Sequence, residues 1–210
     1  MLTTYEIRSG ALEPHKNPRR VSDQAVWIDL LSPKRSEETK VERALKIGVP
    51  TREEQREIEA SSRLYQENGA YFMTATVLYQ ADMAEPVVTP ITFILAGEKL
   101  ITLRYAEPRA FSLFATRCQR PETSLTNATA VLIGLIEAIV DRMADFIERI
   151  QGEVDTLSHS IFETTGSTVA RQRRFDVLLR SIGREGEITS RAREHAFART
   201  PAHLPHLRRQ

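Results

Sequence analysis

Residues 133–161, IGLIEAIVDRMADFIERIQGEVDTLSHSI, govern how the second half of this chain folds. Apolar residues recur in sevens along two series: Ile133, Val140, Ile147, Val154 and Ile161 in one, Ile136, Met143, Ile150 and Leu157 in the other. Together they draw an a/d heptad seam. A repeat of 3.5 residues with charges between its turns buries its stripe against another long helix, because no sheet presents so straight a groove. The pattern predicts a helix from Thr123 to about Phe162, on the order of 60 Å long at 1.5 Å per residue. It also predicts a long partner. Such a helix suits transmission, bridging or assembly better than catalysis.

The partner is expected further along the chain. From Val169 to about Ala198 a second helix is predicted, and its neighbourhood carries Arg171, Arg173, Arg174, Arg180, Arg184, Arg191, Arg193 and Arg199. An arginine run invites a nucleic-acid or acidic-lipid reading. The first helix, however, carries Glu137, Asp141, Asp145, Glu148, Glu153 and Asp155 against only Arg142 and Arg149, so a basic antiparallel helix is its complement. The seam is therefore expected to pack on Phe175, Leu178, Leu179 and Ile182 in a hairpin of two long helices. Beyond it, residues 199–210 contain Pro201 and Pro205 and lack helical period; they read as an irregular tail, like a chain cut short.

Upstream, the pattern changes. Leu2 to Ile7 and Val26 to Leu30 read as strands separated by a polar loop with Pro14 and Pro18. Ser32-Pro33 opens a short helix with Val41, Ala44 and Leu45 on one face, closed by Gly48. Thr51-Arg52-Glu53-Glu54 reads as a capping box, Thr51 accepting from the amide three residues on and Glu54 reaching back, for a second helix ending near Ala60. Arg63 to Tyr65, Ala70 to Tyr79, Thr89 to Leu95 and Lys99 to Tyr105 read as strands, the last two joined antiparallel through Ala96-Gly97-Glu98. Pro108 is placed at the first position of a helix through Phe111 and Phe114, and Pro121 separates that helix from the long one. The predicted organisation is a mixed-sheet domain over residues 1–120, a helical hairpin over 121–198 and the tail.

With 210 residues, 41% hydrophobic and 27% charged, the chain can bury one domain core plus a helical extension. A net charge of +1 gives no electrostatic reason to expect nucleic acid. The sole cysteine, Cys118, precludes an intrachain disulfide and fits a reducing compartment. MLTTYEIRSG lacks the basic start and apolar stretch of an export signal, and no run of about 18 apolar residues marks a membrane span. The chain is thus expected to be soluble and cytoplasmic.

The sequence contains no glycine-rich phosphate loop, Gly-x-Ser-x-Gly elbow, Cys-x-x-Cys pair or His-Glu-x-x-His, so the expectation is a protein that is not an enzyme. His203 and His206 sit in a proline-rich tail, a poor template for a metal, and Cys118 reads as a small buried hydrophobe. Carboxylates are the remaining chemistry. Glu53, Glu54, Glu57 and Glu59 crowd one short segment, and Glu137 and Asp141 stand one turn apart on the long helix. Hard cations such as magnesium take oxygen ligands and keep several waters, so two or three such groups at an interface make a weak site; solvated helix faces account for the same residues.

Taken together, Trp27-Ile28-Asp29-Leu30-Leu31-Ser32-Pro33, Pro50-Thr51-Arg52-Glu53-Glu54, Ile58-Glu59-Ala60-Ser61-Ser62-Arg63-Leu64-Tyr65, Pro90 to Leu95, Leu100 to Tyr105, Glu137 to Asp141 and Glu153 to Leu157 resemble the cytoplasmic domain of the CorA family of magnesium channels over residues 1 to about 198. The resemblance implies an α+β fold, an α/β/α sandwich with a mixed sheet followed by a long antiparallel two-helix extension. It implies a regulatory domain of a homopentamer at the cytoplasmic face of the cell membrane, sensing magnesium through intersubunit carboxylates. Mg2+ or Co2+ would be the transported and regulatory ion of the intact channel, with none required by this piece. By motif position, Glu137 resembles the sensor's long-helix acid and Glu53 or Glu54 its short-helix acid. The chain lacks the family's stalk, transmembrane helices and Gly-Met-Asn pore signature, so alone it is not expected to conduct ions. The alternative is a free-standing interaction or scaffold domain working through the helix hairpin.

Overall fold

A computed structural model describes residues 1–57, 59–80, 87–120 and 125–162. A seven-stranded sheet runs in the order β2-β1-β3-β7-β6-β5-β4. The strands are β1 (Leu2–Arg8), β2 (Ala11–Lys16), β3 (Ala25–Leu31), β4 (Leu64–Glu67), β5 (Ala70–Tyr79), β6 (Val87–Ala96) and β7 (Lys99–Arg104). Among the described residues only the central β3–β7 pair is parallel, so the sheet is mixed as expected. The hairpin between β6 and β7 is also as expected, with Ala96 opposite Lys99 and Gly97 at φ +55°.

The loop expected around Pro14 is instead strand β2, paired with β1 so that Pro14 lies opposite Tyr5. A proline is tolerated there because β2 is an edge strand and one side of it needs no ladder partner. Its turn, Ser9-Gly10, has positive φ at both residues, the geometry of a tight two-residue hairpin loop.

Each sheet face is covered. On one side lies α1 (Arg35–Leu45), which buries Val41 against Ile28, Leu30, Phe72, Ile94, Ile101 and Leu103. Glu37 anchors its start, accepting from the Lys34 amide at 2.8 Å and the Leu2 amide at 2.9 Å. Its end differs from the expected glycine stop: Lys46 takes the left-handed conformation at φ +56° and donates to the Glu42 carbonyl, two residues before Gly48.

On the other side lie α3 (Arg109–Arg117), capped by Pro108 one position earlier than expected, and α4 (Ala128–Phe162). Their core contains Trp27, Phe93, Leu100, Phe111, Phe114, Val131 and Leu135. Trp27 is stacked on Tyr5 at 4.1 Å and donates its indole N–H to Thr102 Oγ1 at 3.0 Å. Thr102 donates onward to Asp29 Oδ1 at 2.7 Å, and Arg104 grips both Asp29 oxygens from Nε at 2.9 Å and Nη2 at 2.7 Å. Asp29 and Arg104 are only 3% and 5% exposed, so this fork is a buried, bidentate ion pair that clamps the parallel strands.

The long helix begins at Ala128 rather than Thr123, because the Asn127 side chain accepts from the Ala130 amide at 2.8 Å and caps it. It spans 35 residues. The face that meets the sheet and α3 is Val131, Leu132, Leu135, Ala138, Phe146 and Ile150. Of the heptad series, Ile150 is buried, whereas Ile133, Ile136, Val140, Ile147 and Val154 are 43–58% exposed among the described residues. At 3.6 residues per turn these five fall within about 60° of arc, roughly a third of a turn from the core-facing stripe. The expected partner helix over 169–198 and the tail lie outside the described residues.

Candidate functional site

The Thr51–Glu54 capping box forms as expected: the Thr51 amide donates to Glu54 Oε2 at 2.6 Å and the Glu54 amide to Thr51 Oγ1 at 3.2 Å. The helical segment it caps is shorter than expected. Glu54–Arg56 is a single 3-10 turn; Glu57 is extended at φ -60° and ψ 139°, and a separate four-residue helix, α2 (Ala60–Arg63), precedes β4. Glu53, Glu54, Glu57 and Glu59 therefore do not share one helix. One turn gains too few hydrogen bonds to propagate without packing, and this turn buries only one side chain, Gln55.

In the sequence Gln55 is one polar residue among acids, and nothing local distinguishes it. In the structure it is 1% exposed. Its Nε2 donates to Thr92 Oγ1 at 2.8 Å and to the Leu103 carbonyl at 3.0 Å, while Thr92 Oγ1 also meets Thr74 Oγ1 at 2.8 Å. Oε1 is buried without a hydrogen-bond partner in the protein. The Leu103 carbonyl requires a donor opposite it, which fixes the amide's orientation and leaves the oxygen orphaned.

The acids themselves point outward. Glu53, Glu54 and Glu57 are exposed around the turn. Two phenols lie within their field. Burial, then the charges of Glu67, Glu54 and Glu57, push the Tyr65 hydroxyl above its ordinary range. Burial, then Glu38, push Tyr105 up against the opposing charge of Arg52, with Glu53 adding to the rise. Arg52 lies over the Tyr105 ring at 5.0 Å, the cation that partly offsets this acidic corner.

Glu137 is exposed on α4. The turn lies on the face shared by Leu103 and Ile94, because Gln55 reaches Thr92, which alternates with Phe93; α4 packs on the opposite face with Phe93 and Leu100. The sheet thus separates Glu137 from Glu53 and Glu54 within one chain. No group of three or more His, Cys, Asp or Glu side chains among the described residues is arranged to hold a metal ion. Glu54 already spends one carboxylate oxygen on the Thr51 amide. Carboxylate oxygens are donors of the type a hard, hydrated cation takes, but among the described residues these acids do not converge on a common point.

Cys118 is buried and its thiol is pushed up by burial, with Arg117 acting against the rise; it is a packed side chain, as expected. Among the described residues no helix is long and apolar enough to cross a membrane.

Residues 22–207 match the family described as CorA-like Mg2+ transporter protein. The magnesium transport protein CorA of Escherichia coli K12 is 30% identical over 166 residues, covering 78% of this chain and 52% of that protein. That of Pectobacterium atrosepticum is 29% identical over 139 residues, covering 66% of this chain and 44% of that protein. The chain spans about half the length of these curated relatives. The solved soluble domain of CorA from Methanocaldococcus jannaschii superposes with a TM-score of 0.54 at 10% identity, covering 94% of each chain. The ZntB cytoplasmic domain from Vibrio parahaemolyticus gives 0.54 at 13% identity, covering 93% of this chain and 85% of that one. At such identities the likeness establishes the α+β fold.

Proposed function

This chain belongs to the CorA-like Mg2+ transporter family, and from that premise we propose that it is the soluble, cytoplasmic-face regulatory module of a magnesium or related divalent-cation channel. In this reading Glu53 or Glu54 on the turn and Glu137 on the long helix each meet carboxylates of a neighbouring copy in a homopentamer. A bound Mg2+ or Co2+ relieves the repulsion between them. The reading retains the division into a mixed-sheet domain (1–120), a helical hairpin (121–198) and a tail (199–210). In this reading these residues do not themselves form the conducting pore. The module itself performs no catalysis.

One observation carries the proposal: the acid-bearing turn and Glu137 lie on opposite faces of one sheet, so a shared ion requires more than one copy. Two or three water-rich carboxylate contacts bind magnesium weakly, which suits a sensor working at cellular magnesium levels. The test is limited proteolysis of the full-length protein with and without magnesium. Protection by the ion, lost in the Glu54→Ala/Glu137→Ala variant, is expected; protection that survives the double substitution assigns these acids to an ordinary surface.

The free-standing interaction domain has its own support in the exposed stripe Ile133, Ile136, Val140, Ile147 and Val154. Apolar membrane helices encoded downstream in the gene would decide for the channel.

A further inference from the structure

We infer that Gln55 is the positioning residue of the acid-bearing turn: its carboxamide pins Glu53 and Glu54 to β6 and β7, and so sets where a divalent cation meets them. The inference rests on the sensor reading of those acids. Thr51 through Glu54 are exposed on one side of Gln55 and Arg56 and Glu57 on the other, so Gln55 is the one side chain of the segment that enters the sheet layer. An apolar residue would bury equally well there but would leave the turn free to rotate about a nondirectional contact. The carboxamide instead makes two directional bonds to two different strands, through Thr92 Oγ1 and the Leu103 carbonyl. It does so at the expense of a buried oxygen with no partner in the protein. Ordinary core packing gives no reason to retain such an atom, whereas fixing the orientation of the neighbouring carboxylates does.

Gln55→Met separates the two roles. Methionine is unbranched and of similar length, so burial persists. It removes the orphaned oxygen together with the two bonds, so the Leu103 carbonyl loses that donor while the burial penalty of the unpartnered oxygen is also lifted. The Thr92 hydroxyl keeps Thr74 as a partner.

The experiment uses the whole chain, with Mn2+ as a paramagnetic probe of amide resonances and hydrogen exchange as a probe of local opening. In Gln55→Met, the Mn2+ concentration that broadens the Glu53 and Glu54 amides should rise on the order of 10-fold, the size of loss when an outer-shell positioning group is removed. Exchange at Gln55, Arg56 and Glu57 should accelerate by a similar factor. Exchange in β6 and β7, and the Mn2+ response near Glu137, should remain as in the parent chain. Thr92→Val, which removes one of the two acceptors, should give a smaller change of the same kind. Unchanged turn exchange overturns the inference, as does acceleration spread evenly through β6 and β7. Absence of any Mn2+ response at Glu53 and Glu54 in the parent chain overturns the sensor reading instead, while the exchange comparison still decides whether Gln55 pins the turn.

Discussion

Gly134 of α4 lies so close to Phe114 of α3 that a methyl group added at Gly134 would sit 2.5 Å from the ring carbon Cε2. Phe114 cannot swing clear, because it is 1% exposed and packs edge-on against Trp27 at 5.9 Å. Two effects of Gly134→Ala therefore compete. Alanine favours the helical backbone by about 1 kcal/mol, whereas overpacking a filled core costs about 1–3 kcal/mol. With no room to yield, overpacking wins. Thermal melting of Gly134→Ala should show a net loss of up to about 2 kcal/mol, reduced when Phe114→Leu is added. An increase in stability would mean that the two helices stand farther apart.

The Asp29–Arg104 fork predicts an asymmetry. Removing Arg104 leaves a buried carboxylate held only by Thr102, and breaking a buried pair from one side costs about 3–5 kcal/mol. Replacing both partners by apolar residues of similar size should cost much less. Denaturant unfolding of Arg104→Met against Asp29→Leu/Arg104→Met checks this. Equal losses would show that the pair contributes through shape rather than charge.

Tyr5 sets the alkaline limit. Burial, reinforced by the charge of Asp29 and opposed by Arg104, pushes its phenol up to about 12. The unfolded chain ionises near 10, so the folded state holds this proton more tightly. That contribution is fully present below about pH 10 and is lost as pH climbs toward 12, a loss of roughly 2–3 kcal/mol by the top of the window. Tyr5→Phe should flatten the alkaline limb of the stability curve. A limb of unchanged steepness assigns alkaline unfolding to other groups.

The range of each interaction decides how much of the fold and site is legible in the sequence. Strand β5, the Gly97 hairpin and the Thr51–Glu54 cap are readable because each is encoded within a few consecutive residues. Strand β2 is obscured by Pro14, which only its edge position excuses, although Gly10 and Asn68-Gly69 are of the residue types that take positive φ readily. The heptad seam falls on α4 largely as a half-exposed stripe, and its expected partner lies outside the described residues. A helix whose apolar arc exceeds half a turn supports several registers, and the stripe on the core is a neighbouring one. Gln55 and the Asp29–Arg104 fork are invisible for another reason: their partners lie 37 to 75 residues away, and no local period records them.

The exposed stripe of α4 makes its own prediction. Ile147 is 47% exposed among the described residues, and the expected cover is the apolar side of residues 169–198. If that cover forms, Ile147→Asp buries a carboxylate without a partner and should cost several kcal/mol, on the order of 2–5. An unchanged melting temperature would place Ile147 in solvent and exclude the helix hairpin at that level.

The separation of the acids by the sheet sets the response to magnesium. A ligand stabilises the state it binds by RT ln(1 + [L]/Kd), so a partial site of millimolar affinity gives only about 1 kcal/mol at several millimolar ion. In an isolated single copy, Glu54 with one oxygen engaged by Thr51 and Glu137 across the sheet have no common ion to share. Magnesium should therefore raise the melting temperature of the chain by no more than a few degrees, and Glu137→Ala should leave that small shift in place. A large shift abolished by Glu137→Ala would mean that the acids close a site within this chain or its self-assembly. Sedimentation at the same magnesium concentration separates those two cases.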